Sequence, residues 1–255
     1  MMKLRTLGCS GGIGGNLRTT SFLLDHDVLI DAGTGVNELS LTEISMIDHV
    51  FVTHSHLDHI ACLPFMVDSA CAMRDRPLTI YAIEETLDIL KQHVFNWKVW
   101  PDFSEIPNTL KPSMRYRPIR LGETVLLGER KITAIPANHA VPAVGFHLDS
   151  GSASLVYSGD TTSNDAVWEV VNRIENLRYL VIETAFSDNE KELAIISKHL
   201  CPSLLNEELK RFRRDAEVFI THLKPGEAEL IMRQIESGAH GRRPRMLLNN
   251  QEFEF

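Results

Sequence analysis

Short apolar runs rich in β-branched residues recur along the chain, and each ends on a side chain able to do chemistry. Residues 50–54 read VFVTH, 155–160 read LVYSGD, 179–183 read YLVIE and 218–222 read VFITH. Runs of this length and make-up predict buried strands. Their last residues, His54, Asp160, Glu183 and His222, fall where the loops of a layered α/β fold converge, so the pattern predicts one shared site. Further strands are predicted at 20–31 and 131–136, and 143–157 reads as a hairpin turning at 149–152. Helical spacing appears at about 60–74, 83–96, 164–175, 202–214 and 226–237, with Pro64 and Pro202 in first turns, where proline is tolerated. Residues 95–118 hold Phe95, Trp97, Trp100, Phe103 and four prolines and read as an irregular, aromatic-rich stretch. No repeat, low-complexity tract or linker interrupts the chain. Residues 1–255 therefore read as one domain with a helical and aromatic excursion over about 60–118.

Composition narrows the function classes. With 44% apolar and 24% charged residues among 255, the chain has the material for a packed core and is not an intrinsically disordered sequence. A formal net charge of −8 argues against a protein that coats nucleic acid, which needs a broad basic surface. The basic runs 210–214 and 241–245 accordingly read as a solvated helix face and a loop. No apolar run reaches the roughly 20 residues of a membrane helix. The opening, MMKLRTLGCSGG, has too short an apolar stretch for a signal peptide. Cys9, Cys62, Cys71 and Cys201 form no CxxC pair, so reduced thiols and a cytoplasmic location are the expectation.

The densest chemistry lies at residues 53–59, THSHLDH, with three imidazoles and a carboxylate in six positions. In an extended backbone His54 and His56 face the same side and can grip one metal ion. Asp58 and His59 follow where the chain turns toward a helix and can grip a second. Imidazole with carboxylate suits zinc, while manganese or iron fit two ions sharing carboxylates. Two ions need more ligands, and His139, Asp160 and His222 are the strand-end candidates. Each alone is a weak signal; as a set following H-x-H-x-D-H they form a coherent one.

That order of residues resembles the metallo-β-lactamase superfamily. The resemblance runs from the glycine-dense opening to His222 and implies an αββα sandwich, an α/β fold with a dinuclear site at the edge of its two sheets. It implies that His54, His56 and His139 bind one ion, that Asp58, His59 and His222 bind the other, and that Asp160 bridges. An aspartate at the bridge, in a Gly-Asp-Thr context, resembles the phosphodiesterase branches. Glu183 in VIETAF and His199 in SKHLCP resemble a Glu and His pair of the tRNA 3′-processing endonucleases, in which the His is the general acid and the Glu orients it. Lys198 departs from the glycine usual there, and the chain lacks the long basic arm of those enzymes. Residues 54–67, HSHLDHIACLPFMV, resemble the signature of class II cyclic-nucleotide phosphodiesterases. So do Asn96-Trp97, Trp100-Pro101-Asp102-Phe103, His199-Leu-Cys-Pro202 and Thr221-His-Leu-Lys-Pro225.

The resemblance implies hydrolysis of 3′,5′-cyclic nucleotides (cyclic AMP or cyclic GMP) to 5′-nucleotides through a metal-bridging hydroxide. Asp58 would take the water's proton and His199 would protonate the leaving oxygen. The alternatives are a nuclease or tRNA-processing enzyme of the same fold, or a hydrolase of another ester class such as an aryl sulfate or thioester. A metal-binding scaffold with a degenerate site is disfavoured by the complete set of seven ligands. The expected partner is a small phosphodiester, with neither membrane nor nucleic acid. The aromatic segment at 95–103 could stack on a base, fill the core or form a homodimer interface. Residues 8–15, GCSGGIGG, could cradle phosphate through backbone amides or simply turn tightly between strands. Asp31, in LIDAG, resembles a buried turn-fixing carboxylate and is not counted as a ligand.

Overall fold

The computed structural model describes residues 1–238 and 241–255. Six strands form first: β1 (Lys3–Gly8), β2 (Ser21–Leu24), β3 (Val28–Ile30), β4 (His49–Phe51), β5 (Leu78–Ala82) and β6 (Met114–Pro118). Seven follow: β7 (Thr124–Leu127), β8 (Arg130–Pro136), β9 (Val144–Asp149), β10 (Ser154–Tyr157), β11 (Leu177–Glu183), β12 (Glu217–Thr221) and β13 (Arg245–Met246). A last strand, β14 (Glu252–Glu254), returns beside β1. The two sheets run β14-β1-β2-β3-β4-β5-β6 and β13-β12-β11-β10-β9-β8-β7. In each, the hairpin-connected half is antiparallel and the other half is parallel.

Helices cover the outer faces: α1 (Leu41–Met46), α2 (Leu57–Ile60), α3 (Leu63–Cys71), α4 (Glu84–Ile89), α5 (Asp165–Val171), α6 (Lys191–Ser197), α7 (Pro202–Leu209) and α8 (Ala228–Gly238). The period of two along each strand divides its residues between two cores. Val28, Ile30 and Phe51 face the other sheet and pack with Phe146, Leu155 and Tyr157. Leu29 and Val50 face outward onto Leu63 and Met66. On the far side Val156, Leu180 and Ile220 pack against Trp168, Leu205 and Ile231. Phe51 stacks on Tyr81 at 4.4 Å and meets Phe146 edge-on at 5.6 Å, filling the gap between sheets with rigid rings. This is the αββα sandwich that the resemblance implied.

Several expected boundaries shift. The stretch 20–31 is two strands, because Asp25 takes a left-handed φ of 53° and turns the chain back on itself. Arg130 clamps that turn by donating to both Asp27 carboxylate oxygens at 2.5 and 2.8 Å, tying the first sheet to β8. The helix expected at 60–74 is broken between α2 and α3. The segment read as an excursion over 60–118 instead supplies β5 and β6, two parallel strands of the first sheet. β6 gives no apolar run in the sequence because four of its five residues are partly or fully exposed, as on an edge strand. The hairpin at 143–157 forms as expected, with Gly151 at φ 91° accommodating the turn.

Candidate metal centre

β10, β11 and β12 run parallel, and the loops that follow β4, β8, β10 and β12 bring the seven expected ligands together. His54 lies three residues past β4 and is fully buried. His56 caps α2, which carries Asp58 and His59 on its single turn. His139 follows β8, Asp160 follows β10 and His222 follows β12. One group of ligand atoms comes from His54, His56 and His139, and a second from Asp58, His59, Asp160 and His222; within each group the atoms lie within 4.8 Å of one another. Asp160 sits between the groups. Its Oδ2 is 3.6 Å from His54 Nε2, 4.0 Å from His139 Nε2 and 3.3 Å from His59 Nε2, and its Oδ1 is 3.3 Å from His222 Nδ1. Asp58 Oδ2 is 3.6 Å from His222 Nε2.

The donor set fits divalent cations. His54 Nε2, His59 Nε2, Asp160 Oδ1 and both ring nitrogens of His222 are buried without a hydrogen-bond partner. Buried polar atoms left unpaired cost about 1–3 kcal/mol each, so several converging ones call for a ligand. Electrostatics agree. Burial pushes His54 well below the ordinary imidazole value, His139 down to about 4 and His222 down to about 3, leaving them neutral and free to coordinate. Burial also opposes a charge on His59, but Asp160 and Asp31 outweigh it and hold that imidazole protonated. A metal ion is the natural replacement for that proton.

The supporting layer is equally specific. Asp31 accepts from His59 Nδ1 at 2.7 Å, from Thr53 N at 2.8 Å and from Thr53 Oγ1 at 2.9 Å. Thr53 Oγ1 in turn lies 3.0 Å from His54 Nδ1. The Lys198 carbonyl accepts from His139 Nδ1 at 3.1 Å. His222 adopts a left-handed φ of 65°, held by its N–H donating to the Cys9 carbonyl at 2.8 Å. Gly11 packs against it so closely that a Cβ there would meet the His222 carbonyl at 2.5 Å and its ring at 3.0 Å. The glycine-dense opening thus seats His222. Asp160 depends on glycine too: Gly159 has φ 62°, and a Cβ there would meet the Val144 carbonyl at 2.6 Å.

Glu183, the last residue of β11, is buried and accepts from His199 Nδ1 at 2.7 Å, Thr161 N at 3.0 Å and Leu200 N at 3.2 Å. Burial raises the Glu183 carboxyl. Burial disfavours the charged His199 ring, but Glu183 overrides this and raises it. A ring nitrogen of His199 lies within 4.8 Å of ligand atoms of His139 and Asp160, and the ring stacks on His222 at 5.2 Å. Lys198, where glycine was expected, takes the left-handed conformation that glycine favours. The aromatic segment divides: Phe103 is core, Trp100 meets Phe65 edge-on at 4.9 Å, and Trp97 is exposed. The supporting roles of Thr53 and Gly11 are not evident from the sequence. Adjacency to His54 was the available signal for the first, whereas Gly11 meets its partner from across the whole chain.

Residues 26–240 match a family model described as "Beta-lactamase superfamily domain". A Yersinia pestis protein named "Probable 3′,5′-cyclic-nucleotide phosphodiesterase" is 26% identical over 222 residues, 75% of this chain and 63% of that one. This chain thus spans less than two thirds of that relative's length. A 3′,5′-cyclic-nucleotide phosphodiesterase of Aliivibrio fischeri is 27% identical over 272 residues, covering 86% of this chain and 80% of that one. A nuclear ribonuclease Z of Triticum aestivum is 33% identical over 109 residues, 42% of this chain and 58% of that one. Among solved structures, unliganded yeast PDE1 superposes with a TM-score of 0.80 at 18% identity, covering 98% of each chain.

Proposed function

This chain belongs to the beta-lactamase superfamily, and from that premise we propose that it is a dinuclear metal-dependent phosphodiesterase that hydrolyses 3′,5′-cyclic nucleotides to 5′-nucleotides. The observation that carries the reaction type is the Glu183–His199 pair set beside two groups of metal-ligating atoms. The substrate class draws support from the relatives named as cyclic-nucleotide phosphodiesterases, one of which aligns over 86% of this chain.

In this reading His54, His56 and His139 would hold one ion, Asp58, His59 and His222 would hold the other, and Asp160, which lies between the two groups, would contribute to both. Two divalent ions so held supply Lewis acidity, lowering the pKa of water and offsetting charge on the phosphoryl oxygens. The histidine-rich donor set suits zinc, and manganese or iron are accepted by the same groups.

The chain's own residues do the rest. Asp58, the one partly exposed carboxylate of the seven ligands, takes the proton of the attacking water at the oxygen not used to hold the ion. Glu183 fixes the Nδ1–H of His199, leaving Nε2–H to protonate the departing 3′ oxygen. Because Glu183 raises the pKa of His199, that proton is retained near neutral pH, where a general acid must hold it. Burial of Glu183 and its two backbone donors, Thr161 N and Leu200 N, keep the pair aligned.

The test is a parallel assay of metal-loaded protein on cyclic AMP, cyclic GMP, a short RNA and bis-p-nitrophenyl phosphate, with Asp160→Ala as the blank. Cyclic-nucleotide turnover well above the aryl-diester rate is the expected result. Cleavage of the RNA with negligible cyclic-nucleotide turnover would replace this reading by a nuclease.

A further inference from the structure

Resting on that reading, we propose that a cavity beside His139 receives the nucleoside of the substrate, and that Lys198 at its edge is the cation that pairs with the phosphate. The cavity measures about 720 Å³, within the size range of small-molecule sites. The loops following β5, β6 and β8 line it, and His139 forms part of its wall, so the cavity adjoins the metal centre. Ile83, Ile119, Leu121 and Val141 give it aliphatic surface suited to the faces of a base and a sugar.

Its charged groups are balanced: Arg120 and Lys198 against Glu84 and Glu85. An RNA strand needs a net positive track for its successive phosphates, and these two carboxylates would repel it. A cyclic nucleotide brings a neutral nucleoside body rich in hydrogen-bonding groups and a single anionic phosphate, which matches such a lining. None of Trp97, Trp100 and Phe103 lines the cavity, so the base would be held by aliphatic contact and polar groups rather than by aromatic stacking.

Lys198 is placed for the anionic end. Its carbonyl is bonded to the His139 ring and its chain neighbour is His199, so its backbone lies between a metal ligand and the proposed acid. Lys198 is an exposed residue and is among those that line the cavity. It also occupies a left-handed conformation, φ 55° and ψ 49°, that a long side chain adopts only at a cost. Strain kept at the rim of a site points to use of the side chain there. A cation that touches substrate and transition state alike acts on KM rather than on kcat.

The test compares zinc-loaded wild type, Lys198→Met, Lys198→Arg and Val141→Trp by kinetics on cyclic AMP and on bis-p-nitrophenyl phosphate, a diester without a nucleoside. Calorimetry follows binding of 5′-AMP, and zinc content is measured for each protein. Lys198→Met is expected to raise KM for cyclic AMP and weaken 5′-AMP binding by about tenfold to a hundredfold, the loss of one charged hydrogen bond, with Lys198→Arg restoring most of it. Val141→Trp, which places a bulky ring in the cavity, is expected to lower the preference for cyclic AMP over the aryl diester by about tenfold. Unchanged 5′-AMP affinity in both Lys198→Met and Val141→Trp, at wild-type zinc content, would overturn the proposal. Absence of cyclic AMP turnover in wild type would instead sink the substrate reading; the 5′-AMP arm then still decides the cavity.

Discussion

Asp31 accepts the Nδ1–H of His59 at 2.7 Å, and through the Thr53 hydroxyl it also reaches His54. One buried carboxylate therefore steadies a side chain from each of the two ligand groups. Partners behind metal ligands typically contribute about 10–100-fold in affinity. Asp31→Asn is expected to weaken zinc binding by that factor at both sites, and Thr53→Val to act mainly through His54. Competition with a chromophoric chelator measures this, and an affinity within about twofold of wild type would remove Asp31 from the account.

Gly11→Ala places a methyl group 2.5 Å from the His222 carbonyl, with backbone on both sides of the contact. Forced crowding of this kind costs about 1–3 kcal/mol. The expected outcome is a lower melting temperature of the metal-free protein together with loss of one ion per chain by elemental analysis. Full retention of both ions would mean that His222 adapts.

On the proposed mechanism, Glu183 sets the pH response. The His199 imidazole must be protonated to act as an acid, and Glu183 raises it above its ordinary value. Turnover of cyclic AMP should therefore fall as pH rises through that elevated value. Glu183→Gln removes the charge and leaves burial, which lowers the pKa, so the fall should move to lower pH. His199→Ala should slow cyclic AMP by about 10²–10⁴ and an activated aryl diester far less. An unmoved basic limb in Glu183→Gln, or equal slowing of the two substrates, would contradict these roles.

Much of this arrangement was legible in the chain. β11 and β12 stand out as continuous β-branched runs because both faces of the strands are buried. H-x-H-x-D-H concentrates its chemistry within six residues, and the strand-end positions of Asp160, Glu183 and His222 follow from where those runs stop. What stayed hidden has physical causes. The edge strand β6 is five residues long with only Met114 fully buried, too short and too exposed to stand out as an apolar run, and β13 is only two residues long. The contact of Gly11 with His222 joins residues far apart in sequence, and no local pattern encodes it. The left-handed backbone of Lys198 appears only as a lysine where the resembling enzymes carry glycine.

That backbone makes a stability prediction of its own. A long side chain in the left-handed region costs about 1–2 kcal/mol, whereas glycine adds about 0.5–1 kcal/mol of unfolded-state entropy. Relief of strain is the larger quantity, so Lys198→Gly should stabilise the metal-free protein by about 0.5–1 kcal/mol. Urea unfolding measures it; a destabilised variant would mean that Lys198 is held by favourable contacts rather than strained.

The most direct test of the central claim is a zinc titration of the metal-free protein, following conversion of cyclic AMP and identifying the product by chromatography. The expected result is that 5′-AMP accumulates, that the rate rises with added zinc and levels off at two ions per chain, and that Asp160→Ala stays inactive throughout. A protein that takes up two ions and yet leaves cyclic AMP intact, or activity that is independent of zinc and of Asp160, would contradict it.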